Sequence, residues 1–113
     1  MPAQDLMQGT VDVLILRTLA WDSMHGYAIS KWIKQRTDGE LRLDGAALYQ
    51  ALHRLERKRW IAAEWGISDT NRRAKFYRLT PDGRAELRAE TPSWLRHAEA
   101  IARALRTASP EAT

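Results

Sequence analysis

Between Leu48 and Leu79 the apolar residues change their period, and no other feature of the sequence restricts the fold as much. Leu48, Leu52 and Leu55 recur at i, i+4 and i+7, which lays one apolar stripe along a helix. Just beyond, Ile61, Ala63 and Trp65 alternate, as strand residues do. After the turn-rich "SDTN" (Ser68–Asn71), Tyr77 and Leu79 point one way while Phe76 and Arg78 point the other. The pattern predicts a helix that runs directly into a two-stranded hairpin. Each has one apolar face, and each needs further elements to cover it.

Those elements are legible on both sides. A first helix is expected over about Thr10 to Ala20, with Thr10 as its cap. Val11, Val13, Leu14, Ile15, Leu16 and Leu19 make it apolar nearly all round, so it is buried on several sides. "WDSMHGYAISKWIKQRT" is expected to be a turn and a second helix, capped by Asp22 or Ser23 and ended by Gly39. Ile29 and Ile33 face inward on it, with Tyr27 and Trp32 on the flanks. The third helix follows a short extended lead, Leu41 to Leu43. Opposite its leucine stripe, at 100° per residue, lie Ala46, Tyr49, Gln50, His53 and Arg57, with Arg54 and Lys58 on the shoulder. The last helix opens at "TPDG": Thr80 caps, and Pro81 stands at the first helical position, where its missing N–H costs nothing. Leu87, Trp94, Ala98, Ile101 and Leu105 share a stripe there, with Leu95 and Ala102 beside it. Pro92 predicts a kink or break, with Thr91 capping a second segment. "TASPEAT", residues 107–113, is expected to be a frayed tail.

The charge is concentrated where the period changes. The net charge is +4, and residues 44–80 hold all of it, with eight Lys/Arg against four Asp/Glu. The segments before and after each balance, with five of each sign. A local basic field on a neutral body points to a polyanionic partner. Helix, helix, short strand, helix, hairpin and helix is the order of a winged helix-turn-helix, and double-stranded DNA suits it. A helix fits the major groove, and an adjacent hairpin reaches the backbone or the minor groove. On this reading Asn71, Arg72, Arg73 and Lys75 at the wing neutralise phosphates. Gln50, His53 and Arg57 read bases or phosphates, and Arg54 serves phosphates. Tyr49 serves either a groove contact or packing under the wing.

Four stretches also resemble a known family: "QGTVDVLILRTLAW" (Gln8–Trp21), "HGYAI" (His25–Ile29), "ALYQALHRLERKRWI" (Ala47–Ile61) and "NRRAKFYRLTPDGR" (Asn71–Arg84). In this order they look like the PadR family of bacterial transcriptional regulators, over residues 6–106. The short tail with one C-terminal helix resembles its smaller subgroup. The resemblance implies a mainly α fold with a small β-hairpin: a winged helix-turn-helix DNA-binding domain over residues 1–79, and a C-terminal dimerisation helix and tail over 80–113. It implies a homodimer on inverted-repeat operators, most often a repressor, with the last helix exchanged against the partner's first. Leu14, Leu87, Trp94, Leu95, Ala98, Ile101 and Leu105 are the expected interface. Trp94 near a dimer axis is either packed there or stands beside its symmetry mate as a slot for a planar aromatic effector. Three departures stand out. The family's usual Ser-Leu-Tyr-Pro at the start of the recognition helix is Ala47-Leu48-Tyr49-Gln50, so capping falls to Asp44 or to a free N–H, and Gln50 adds an amide able to bond adenine in two places. Trp32 replaces a more usual polar residue, and Pro92 is unusual in its helix.

Other classes find little support. With no cysteine, disulfides, thiolate metal sites and thiol nucleophiles are excluded, and a cytoplasmic location fits. The N-terminal stretch has no basic-then-apolar leader, and no run is apolar enough to span a membrane. His25, His53 and His97 lie on separate elements without ligand spacing, so neither a metal nor any other cofactor is expected. No catalytic motif appears, and no enzyme is expected. The rival readings are a winged-helix module that binds an acidic protein and a small-molecule-binding dimer with little DNA affinity.

Overall fold

Three helices close around the leucine stripe, and the hairpin and last helix lock onto the result. The computed structural model describes residues 3–108, with side chains from residue 9 onward. The order is α1 (Ala3–Leu19), β1 (Met24–His25), α2 (Gly26–Arg36), α3 (Gly45–Arg57), β2 (Ile61–Ile67), β3 (Arg73–Leu79) and α4 (Pro81–Arg106). The core takes Ile15, Leu16 and Leu19 from α1, Ile29 and Ile33 from α2, and Leu48, Ala51, Leu52 and Leu55 from α3. Ile61, Tyr77 and Leu87 close it from the sheet and α4. The strands form one antiparallel sheet in the order β1-β3-β2. Ile61 pairs with Leu79, Ala63 with Tyr77 and Trp65 with Lys75, which puts the expected alternating residues on one face. On the other face Phe76 lies over Gly66, where a Cβ would meet its ring at 3.0 Å.

Several local expectations are corrected. α1 begins at Ala3, so Thr10 lies inside it and does not cap it. The short strand is Met24–His25, hydrogen-bonded beside Tyr77 and Phe76 of β3, and residues 41–43 form none. This strand moves the start of α2. Neither Asp22 nor Ser23 caps it: Asp22 accepts the N–H of Ser23 at 2.8 Å, and His25 Nδ1 accepts the N–H of Ala28 at 3.2 Å. Pro92 does not break α4, which continues to Arg106. Thr91 starts no second segment; its hydroxyl donates to the Leu87 carbonyl at 2.7 Å. Of the expected frayed tail, residues 109–113 lie outside the described residues, and Thr107 is the C-cap of α4.

The joint between wing and α4 follows the sequence closely. Thr80 Oγ1 accepts the N–H of Gly83 at 3.0 Å and donates to the Arg59 carbonyl at 2.7 Å, while the Thr80 N–H reaches the Trp60 carbonyl at 3.0 Å. A Cβ on Gly83 would stand 1.9 Å from that Trp60 oxygen. The obstacle is backbone, which cannot swing aside. Gly83→Ala is therefore expected to lower stability by about 3 kcal/mol, read from the urea midpoint. An unchanged midpoint would show that this close approach is relieved without cost.

Candidate nucleic-acid interface

Because the leucine stripe of α3 is sealed, its other face has nowhere to go but outward. Tyr49, Gln50, His53 and Arg57 are all exposed there. Tyr49 is 55% exposed, yet its ring rests on the start of α2: a Cβ on Gly26 would come within 2.8 Å of its hydroxyl. It therefore packs and faces the cleft at once. Asp44 takes the N-cap position of α3 without a side-chain hydrogen bond, so the first N–H groups are left without a side-chain acceptor.

The wing is a tight turn bonded to itself. The Ser68 N–H donates to the Arg72 carbonyl at 2.8 Å, the Asn71 N–H donates to the Ser68 carbonyl at 2.9 Å, and Asn71 has a φ of 60°. Asparagine tolerates that left-handed conformation, so Asn71 shapes the turn as well as standing exposed on it. Beyond it, Arg73 lays its guanidinium 4.5 Å from the Trp65 ring centroid. Lys75 Nζ lies 3.4 Å from Glu56 Oε1 and 5.6 Å from the Tyr77 ring centroid. No hydrogen bond or ion pair engages the Arg72 guanidinium among the described residues. Between the wing and the starts of α2 and α3 lies an open cleft of about 870 Å³, lined by Tyr27, Lys31, Tyr49, Trp65, Arg72, Arg73 and Lys75 among others. Burial pushes the Tyr77 phenol above its ordinary 10.0, against the pull of the Lys75 ammonium. The folded state thus favours the neutral phenol, and that contribution is lost as pH rises beyond the ordinary value.

Arg54 is drawn away from this face. Arg54 Nη2 lies 2.5 Å from Asp12 Oδ1, and Arg54 Nε is buried without a hydrogen-bond partner. The guanidinium ties α3 to α1, so Asp12 already engages part of its donor rim. The structure also brings in cations that the sequence pattern did not single out. Lys31, Lys34 and Arg42 line a second cleft of about 630 Å³ along α2, which shares Tyr27 and Lys31 with the first. Asp38 and Asp44 line the same cleft, so its excess is one positive charge, and residues 1–43 balance overall. A helical wheel for α2 would have revealed it, since Tyr27, Lys31 and Lys34 fall opposite Ile29 and Ile33.

The expected interface residues divide. Leu87 is only 6% exposed and belongs to this chain's own core. Leu14 is half-buried against the same core. Trp94 and Ala98 are half-buried, with the His97 ring edge-on to Trp94 at 6.1 Å. Leu95, Ile101 and Leu105 are exposed, the last at 80%.

Comparison with known proteins decides the family. A model described as the transcriptional regulator PadR-like family matches residues 15–89. The chain belongs to the PadR-like family. A transcriptional regulator from Clostridium thermocellum is 32% identical, with a TM-score of 0.75 over 88% of this chain and 96% of its own. A PadR family transcription regulator from Clostridium difficile is 29% identical, with a TM-score of 0.69 over 84% of this chain and 97% of that one. An uncharacterized protein of Lysinibacillus sphaericus is 36% identical over 102 residues, 89% of this chain and 93% of its own. The PadR-like chain is thus a winged-helix transcriptional regulator and not an enzyme. No helix among the described residues is long and apolar enough to cross a membrane. In this PadR-like fold, Asp12→Ala strands a half-buried guanidinium that already has one unsatisfied nitrogen. The expected loss is about 1–3 kcal/mol in chemical denaturation. A variant as stable as the parent would show that the ion pair contributes nothing.

Proposed function

We propose that the protein is a homodimeric DNA-binding repressor that grips an inverted-repeat operator through α3 and the wing. One observation carries the reading: the wing cations Arg72, Arg73 and Lys75 share one open cleft with Tyr49 of α3, while Gln50, His53 and Arg57 stand exposed on that same helix. Residues 1–79 serve as the DNA-binding domain and residues 80–113 as the dimerisation arm. Two α3 helices enter successive major grooves about 34 Å apart. Gln50, His53 and Arg57 face base edges and flanking phosphates. Arg72, Arg73 and Lys75 meet the backbone beside the wing, and Lys31, Lys34 and Arg42 meet it from the adjoining cleft along α2. Lys75 contributes less than its neighbours, because Glu56 already partners it.

The exposed Leu95, Ile101 and Leu105 support the dimer, since a lone chain would leave them in water. Trp94 belongs to that interface. Planar aromatic compounds that changed tryptophan fluorescence and loosened DNA binding would make it an effector slot; no change in either would leave it a packing residue.

A mobility shift on the intergenic DNA upstream of the coding region, run over a salt series, tests the reading. Arg72→Ala/Arg73→Ala should weaken binding to all sequences alike and flatten the salt slope by about 0.9 for each phosphate no longer neutralised. Gln50→Ala should relax preference at particular base pairs by roughly 1–3 kcal/mol. The absence of any salt-sensitive DNA binding would favour the protein-binding or small-molecule alternatives. Ile101→Glu should convert the dimer to single chains in sedimentation, and a parent that already sediments as one chain would refute the dimer.

A further inference from the structure

The wing holds Arg73 differently from the other cations around the cleft. Trp65 pairs with Lys75 and Arg73 with Ile67, so the indole and the guanidinium are diagonal neighbours on one face of the hairpin. The guanidinium carbon sits 4.5 Å from the indole centroid. Stacking engages the flat face of a guanidinium and leaves the N–H donors around its rim available. An ion pair does the reverse and consumes donors, as Asp12 does for Arg54 and Glu56 for Lys75. Arg73 is therefore restrained without losing its hydrogen-bonding capacity. The indole itself is 60% exposed, too open to be explained as core, and it lines the same cleft as Arg72 and Arg73.

We propose that Trp65 is a positioning residue for DNA binding: its indole presets the Arg73 guanidinium in the wing cleft, with the donor rim open to a backbone phosphate. The inference rests on the DNA reading above. A long arginine side chain loses rotamer freedom when a phosphate fixes it, and prior stacking removes part of that loss. Trp65 adds no charge. Its contribution is a matter of geometry and is independent of salt, whereas that of Arg73 is both geometric and ionic.

Salt dependence separates the two roles. Binding of a labelled duplex from the upstream region is measured by fluorescence anisotropy over a salt series, for the parent, Trp65→Leu, Trp65→Phe, Arg73→Ala and the Trp65→Leu/Arg73→Ala pair. Trp65→Leu is expected to weaken binding roughly three- to fivefold at every salt concentration, the scale of an exposed cation–π contact. Its salt slope and melting temperature should match the parent's, and Trp65→Phe should recover most of the affinity. Arg73→Ala should flatten the slope by about 0.9. With Arg73 gone, Trp65→Leu should do nothing further. Parental affinity in Trp65→Leu while Arg73→Ala still weakens binding would overturn the positioning role and leave the DNA reading standing. An equal loss from Trp65→Leu with and without Arg73 would mean that the indole touches DNA on its own account, and would overturn it too. So would a Trp65→Phe variant no better than Trp65→Leu. If Arg73→Ala and Arg72→Ala/Arg73→Ala both left affinity and slope untouched, the wing reading itself would fall with it.

Discussion

Leu48, Ala51, Leu52 and Leu55 are sealed against α1, α2 and β2, and a helix has only one circumference to divide between core and water. Each fully buried leucine contributes about 2 kcal/mol. A polar contact formed by turning Gln50 or Arg57 inward would return only about 1 kcal/mol net. The stripe therefore wins, and the polar face of α3 is outward by default. The exposure of the candidate interface needs no separate cause. It is the remainder left by the core, and its composition (an amide, an imidazole, a phenol and a guanidinium) was open to selection because packing did not use it.

The wing needs a different kind of support, because most of it stands away from the core. Its base is tied at Thr80, which bonds the backbone of Arg59, Trp60 and Gly83 within one short stretch. Gly83 is the residue that lets α4 start this close to β2. At the far end the Ser68–Arg72 turn holds itself together through backbone bonds and the Ser68 hydroxyl. On the wing and on α3 the cations differ in how they are restrained. Arg54 and Lys75 are held by carboxylates, Arg73 by an indole face, and Arg72 by no side chain among the described residues. Counting basic residues would rate them equal. Their donors are not equally available, and availability decides what a phosphate can recruit.

Local period made most of this fold legible. The α3 stripe, the hairpin faces and the Thr80 cap all depend on residues near each other in sequence. What was not legible depends on distant chain. Asp22 and Ser23 are sound caps by type, but the pairing of Met24 and His25 with β3 pushes the start of α2 past them and hands the role to an imidazole. Arg54 looks like a surface cation until Asp12, 42 residues earlier, is brought to it. Leu87 shares the α4 stripe with Trp94 and Leu105, and periodicity cannot tell which part of a long stripe meets its own core. The α2 lysines were hidden by averaging charge over a segment rather than over a face.

The fate of Pro92 shows how α4 does two jobs. Leu87 lies in the chain's own core and Trp94 and Ala98 are half-buried, whereas Leu95, Ile101 and Leu105 turn apolar side chains to solvent. Pro92 lies between Leu87 and Trp94. Proline removes the hydrogen bond that the Arg88 carbonyl would accept, and its ring crowds that carbonyl. In a helix end buried on all sides that would force a break, as the sequence suggested. Here Arg88 and Glu90 are exposed, so water can solvate what the helix leaves unpaired, and the Thr91 hydroxyl gives the Leu87 carbonyl an added donor. Continuity survives because the missing bond falls on the solvent side, beyond Leu87, which is in the chain's own core. A proline nearer Leu87, whose side chain lies in the core, would leave its lost bond facing core instead of water, and there the local rule that predicts a break would have held.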